Sequence, residues 1–215
     1  MENSRSVSSP RADRRERENA RRREDVLGAA STAFAERGFQ GAQVSEIAAA
    51  AELSTKSVYA LFPSKEVLYE EVIRSAAEAV REKVQLRVEA LDDPGEQLLQ
   101  TIDSLFACFD EHQDLLVLYA RSTHGLPWRV RQNMGESTLH LLQGFTDWIV
   151  AIARRAKKRG YLSGLDPDAV AVSVVGTVTS SAARWVESEQ DHPISASAPA
   201  VRALFERLLG RESSK

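Results

Sequence analysis

From Val26 to Leu209 the apolar residues of this chain recur at helical spacing, and the alternation that marks a half-buried strand is absent over any useful length. That periodicity confines the chain to all-α architectures, and capping chemistry divides it into nine expected helices. Val26, Ala30, Ala33 and Phe34 form the stripe of a first helix, which Gly38 stops. A second covers Val44 to Ala51, with Val44, Ile47 and Ala48 inward. A third starts at Ser54, whose hydroxyl can cap it, and turns Val58 and Leu61 inward. After Pro63 a long helix runs from Lys65 to about Leu91. Asp93-Pro94-Gly95-Glu96 then opens a fifth as N-cap, N1 proline and capping-box partner. A short sixth holds Leu115, Leu118 and Tyr119; a seventh ends at Lys158 before Gly160. An eighth opens at Asp166-Pro167 and reaches about Glu187, and a ninth carries Val201, Leu204, Phe205, Leu208 and Leu209.

The length of 215 residues suffices for one or two domains with a sizeable core. No stretch approaches 18 uncharged apolar residues, so no membrane span is expected. The N-terminus is charged and serine-rich without an apolar run, unlike a secretory signal. The single cysteine, Cys108, excludes an internal disulfide, and with four scattered histidines it argues against structural zinc. A cytosolic protein follows. An enzyme finds no support, because nucleophile elbow, metal-ligand spacing and glycine-rich phosphate loop are all missing, and no cofactor is expected.

The net charge of −3 conceals a polarity. Residues 1–23 hold eight arginines against four acids, a charge of +4, whereas 24–66 hold three bases against six acids, a charge of −3. Residues 1–18 read as a disordered basic arm, which could lie along nucleic-acid phosphate or be a solvated tail. Residues 19–66 read as a first domain and 67–215 as a second.

Residues 44–62 place two short helices around a tight turn, which suits a helix-turn-helix and equally a generic helical hairpin. Their context is more specific. The stretch from Val26 to Glu71 has Phe34, Gly38 and Phe39, then Val44, Ile47, Ala48 and Ala51, then Ser54, Val58, Tyr59, Phe62, Lys65 and Leu68. This pattern resembles the N-terminal domain of TetR-family transcriptional regulators.

The resemblance implies a homodimer that presents one helix-turn-helix per subunit to a palindromic double-stranded DNA operator. It also implies repression relieved by a small-molecule effector held in the C-terminal domain. Thr55 and Lys56 are then expected at base edges, since lysine pairs with guanine O6/N7. Ser57, Tyr59, Gln43 and Lys65 would hold phosphates, with Ser54 at the same surface, and Arg21, Arg22 and Arg23 would form the root of the basic arm. Tyr59 could equally be a half-buried core aromatic, and Lys65 a solvated helix-start lysine. Four positions depart from the family pattern. Gln43 stands where Ser or Thr often caps, and Glu52 where a turn glycine is frequent. Lys56 stands where glycine is common, and Leu61 where His or Tyr is.

The larger side chains between 106 and 148 could line an effector site: Phe106, Phe109, Tyr119, Trp128, Met134, His140, Phe145 and Trp148. Aromatics at helical spacing also simply fill cores, and His124 or His140 could be polar anchors or exposed. Cys108 reads as a packed thiol rather than a redox sensor. On the last two helices, Val170, Val174, Gly176, Val178, Trp185, Leu204, Phe205 and Leu208 are expected at a dimer contact, an intrachain core being the alternative. A DNA-binding dimer without effector, acting as an architectural or protein-regulated factor, shares the same head.

Overall fold

The computed structural model describes residues 10–114, 116–117, 135–188 and 192–210, with side chains from Arg14 onward. Among these the chain is all-helical: α1 (Pro10–Gly41), α2 (Val44–Ala50), α3 (Thr55–Leu61), α4 (Lys65–Glu89), α5 (Pro94–Glu111), α6 (Glu136–Lys158), α7 (Pro167–Glu187) and α8 (Ala198–Leu208), with a 3-10 turn at Ile194–Ser197. The expected sixth helix, around 115–119, lies largely outside the described residues.

Contacts divide the chain into two units, Met1–Val72 and Ile73–Lys215, so the boundary falls within α4 after Val72, where the sequence suggested a division after residue 66. The first unit buries Val26, Ala30 and Phe34 of α1 with Val44, Ile47 and Ala48 of α2, Val58 of α3, Phe62, and Leu68 and Val72 of α4. Phe34 meets Tyr69 edge-on at 5.0 Å, and Tyr69 meets Phe39 at 5.1 Å. Leu68, Tyr69 and Val72 thereby bind the first two turns of α4 to this unit.

α1 begins well before the expected start. Helical backbone reaches back to Pro10, inside the stretch expected to be a disordered arm. Arginine, glutamate and alanine favour helix there, and Glu18 pairs with Arg22 one turn on at 3.1 Å. At the other end, Gly38 takes φ 68° and interrupts the helix where the sequence requires a stop.

In the second unit α5 is central, packing against α6, α7, α8 and the 3-10 turn. Leu98, Ile102 and Phe106 meet Ile149, Ile152 and Ala156 of α6, Val174 and Val178 of α7, and Phe205 of α8 in one core. Asp93 joins two helix ends. It caps α5 by accepting from the Glu96 amide at 2.9 Å and takes the Tyr161 hydroxyl at 3.0 Å. Asp110 caps the 3-10 turn by accepting from the Ile194 amide at 2.8 Å. Cys108 is buried in this core, and burial pushes its thiol pKa up, which fits packing and not a reactive thiolate.

The membrane expectation needs correction in one respect. α7 is long and apolar enough, by length and composition, to cross a membrane, and about a third of that window is buried inside the protein. Ser173, Thr177, Thr179, Ser180 and Ser181 interrupt its apolar residues, so the helix does not read as one continuous apolar run. Val170, Ala171, Val174, Val178, Ala182 and Trp185 of the same helix fill the core of the second unit.

Candidate nucleic-acid interface

α2 and α3 are joined by a turn built on the α2 terminus. Leu53 N–H donates to Ala48 O at 2.8 Å and Glu52 N–H to Ala49 O at 3.1 Å, the paired bonds of a Schellman motif. The motif requires a left-handed residue, and Glu52 takes it at φ 55°. A side chain there carries the Cβ clash that glycine avoids, a cost of roughly 1–2 kcal/mol. Part of that is offset by glycine's larger entropy in the unfolded chain. Glu52→Gly should therefore raise the melting temperature of this unit by a few degrees; an unchanged or lower value in a thermal melt overturns the strain at Glu52.

α3 starts at Ser54, whose Oγ accepts from the Ser57 amide at 3.1 Å and lies 2.8 Å from Ser57 Oγ. The two hydroxyls expected at DNA thus serve each other as a cap. Val58 turns inward, and Lys56 and Tyr59 are left on the exposed side, with Thr55 half-buried at its edge. Tyr59 is 46% exposed, so it is not a core aromatic. Ala60 lies on the same exposed side; its place one turn after Lys56 was the available signal. Gln43 occupies the N-cap position of α2 without a side-chain cap bond, and its side chain is exposed.

The cations sort into different roles. Lys65 Nζ lies 4.7 Å from the centre of the Phe39 ring and donates to Gln40 O at 3.4 Å, so it is held on α1 rather than loose in solvent. Arg21 and Arg22 are exposed, the latter paired with Glu18. Arg23, the third arginine expected at the root of the arm, differs from its two neighbours in its contacts. Its guanidinium donates to Glu71 at 2.9 Å and to Leu61 O at 3.1 Å, and lies 4.3 Å from the centre of the Phe62 ring. An open groove of about 590 Å³ runs between α1 and the end of α2, lined by small residues with Asp25, Glu36, Glu46 and Glu52 and by two arginines, Arg21 and Arg37. Its four carboxylates outnumber those two arginines, unlike the Lys56 face.

Among the described residues, those expected at an effector site divide between the core and the surface. Phe106 is core, and Phe109 is partly buried against it. Phe145 and Trp148 stack at 5.5 Å, and Trp148 Nε1 donates to Glu89 at 3.3 Å. His140 is not an inward anchor: its side chain is 78% exposed beside Glu136, because α6 turns Thr138 inward instead. Tyr119, His124, Trp128 and Met134 lie outside the described residues.

The expected dimer face also needs correction. Val170, Val174, Val178, Trp185 and Phe205 are buried in the unit's own core, which leaves Leu204 exposed and Gly176 and Leu208 half-buried. The more apolar face of α7 turns inward. Facing outward are Val172 and Ser173, and a shallow cavity of about 410 Å³ lined by Gly176, Thr177, Ser180, Ser181 and Arg184. No cluster of three or more metal-ligating side chains occurs among the described residues.

A capped helix pair with one polar exposed face, set on a separate small unit ahead of a larger helical one, defines a helix-turn-helix architecture. The family described as bacterial regulatory proteins, tetR family, matches residues 26–72, the span of this unit's core. The match covers the N-terminal unit, and what it shows is the likeness of that unit to the family. It is 28% identical over 105 residues to the HTH-type transcriptional regulator HbdR of Aromatoleum sp. (strain CIB), covering 49% of this chain and 46% of that one. It is 31% identical over 100 residues to the HTH-type transcriptional repressor KstR2 of Mycolicibacterium smegmatis, covering 46% and 49%. The chain thus spans about half the length of the curated relatives it matches. The fold extends further. A crystal structure of the transcriptional regulator FadR from Bacillus subtilis, in complex with stearoyl-CoA, superposes with a TM-score of 0.74 at 20% identity, covering 88% of this chain and 99% of that one.

Proposed function

We propose that this protein is a ligand-responsive transcriptional regulator, a repressor that binds a palindromic operator as a cytosolic homodimer. The observation that carries the reading is the exposed face of α3. A seven-residue helix turns Lys56, Tyr59 and Ala60 outward, with Thr55 at its edge, while Val58 anchors it. Short polar and cationic side chains at that end of a helix suit base edges in the major groove. Gln43 and Lys65, at the starts of α2 and α4, supply flanking donors for phosphate. The exposed arginines Arg14, Arg15, Arg21 and Arg22 on the forward extension of α1 add further cations.

The outward face of α7, from Val172 through Gly176 to Arg184, with Leu204 of α8, is the surface we assign to the second copy. Small residues there permit close helix approach. Two heads must present their α3 helices roughly 34–36 Å apart to dock together. α4 begins in the first unit and ends in the second, so a ligand that shifts α4 moves the head and breaks that spacing. The effector class we propose is an acyl-CoA thioester, on the shared fold with a regulator crystallised with stearoyl-CoA.

The test is selection of duplexes from a random pool by the full-length protein, followed by gel shift with the selected duplex. An inverted repeat bound by a dimer is the expected product. Acyl-CoAs of increasing chain length should then raise the protein's melting temperature and release the duplex. Recovery of no preferred sequence sinks the operator reading. A preferred sequence that no acyl-CoA releases sinks the effector class and leaves the operator reading standing.

A further inference from the structure

We infer that Arg23 is a positioning residue: it fixes the α3 recognition helix to α1 and α4 and does not touch DNA phosphate. The inference deepens the DNA-binding reading and rests on it. Arg23 lies three residues before Val26 and seven before Ala30, on the inward stripe of α1 that continues to Phe34. Three contacts converge on its guanidinium. One N–H donates to Leu61 O at 3.1 Å, at the last residue of α3. Another donates to Glu71 at 2.9 Å, in the second turn of α4. The planar group also lies 4.3 Å from the centre of the buried Phe62 ring, in the chain that joins those two helices.

The contacts meet a local deficiency. A helix leaves its last carbonyls without amide donors, and Pro63, two residues past the end of α3, has no N–H to offer. α3 has no basic residue in its own last turn. Arg23 supplies the missing donor and the charge from another helix, and Glu71 holds the fork in place. Arginine is required because one planar group must serve a carbonyl and a carboxylate in fixed directions. A lysine ammonium keeps the charge but not that geometry. The orientation of α3, and therefore which base edges its exposed face meets, is tied to the first turns of α4.

The test compares Arg23→Lys, Arg23→Gln and Glu71→Gln with wild type in the full-length protein. The probes are the duplex selected by wild type and a scrambled duplex of the same composition, each titrated over a series of salt concentrations. The expected result is a tenfold or greater loss on the selected duplex for all three variants. Binding to the scrambled duplex and the salt slope should stay as in wild type for Arg23→Lys and Arg23→Gln. The double variant Arg23→Gln/Glu71→Gln should be no worse than either single one, since the pair acts as one unit. A phosphate contact gives the opposite pattern: Arg23→Lys binds like wild type, and Arg23→Gln weakens both duplexes and lowers the slope by about 0.9 per subunit. That result overturns the inference. Hydrogen exchange gives a readout without DNA. Amides 58–62 should exchange faster in Arg23→Lys while the rest of the unit keeps its protection, and unchanged exchange there overturns the inference even if no operator is found.

Discussion

Phe34→Ala should unfold the N-terminal unit while the thermal transition of the C-terminal unit stays in place. Phe34 is fully buried, meets Tyr69 edge-on at 5.0 Å and stacks on Phe39 at 6.1 Å. Removing such a ring costs about 3–5 kcal/mol from the lost transfer and the cavity left behind. Folded domains hold only about 5–15 kcal/mol, and a unit of 72 residues lies toward the low end. The second unit has a separate core on α5, α6, α7 and α8, to which Phe34 contributes nothing. Calorimetry should show the lower transition displaced by tens of degrees or lost, with the upper one unmoved and sequence-selective DNA binding abolished. One transition that shifts as a whole overturns the energetic independence of the two units.

Helix ends were legible because their chemistry is local. Asp93 and Asp166 cap the helices they precede, accepting from the amides of Glu96 and Ala169, as their position before Pro94 and Pro167 implies. Gly38 and Gly160 take the positive φ that ends a helix, at 68° and 91°. Even the irregular turn was flagged by its residue: glutamate where glycine is frequent does adopt φ 55°. Each of these depends on atoms within a few residues of chain.

What the sequence withheld depends on partners far along the chain. The arginines at 21, 22 and 23 read as one basic run, and tertiary packing separates them. Arg21 and Arg22 stay exposed, and Arg23 lies on the inward stripe and reaches Leu61 and Glu71, 38 and 48 residues away. The signal was present in the register with Val26, but a cation on an apolar stripe is legible only when its carboxylate is known. α7 shows the same limit differently. Its valine face and its Ser/Gly/Thr face both suit close packing, and periodicity separates them without saying which neighbour covers which. The effector site is the extreme case, because cavity shape depends on how four or more helices meet, and aromatic spacing is the same for a lining residue and a core residue.

Lys56→Ala should reduce binding to the selected duplex by about 1–3 kcal/mol per half-site, with much less effect on a scrambled duplex. The side chain is exposed on the second residue of α3, beside Thr55 and on the side shared with Tyr59. An exposed lysine on the outward face of a recognition helix can meet guanine O6/N7, and losing that contact costs discrimination at one base pair. Lys65→Ala provides the contrast. Its ammonium is held over Phe39 and on the Gln40 carbonyl, at the start of α4, where it can hold a phosphate in register but read no base. It should weaken both duplexes alike and lower the salt slope by about 0.9 per subunit. Competition titrations at several salt concentrations separate the two residues. If Lys56→Ala instead weakens both duplexes equally with a reduced slope, Lys56 is a phosphate contact, and base discrimination falls to Thr55, the other residue of α3 expected at base edges.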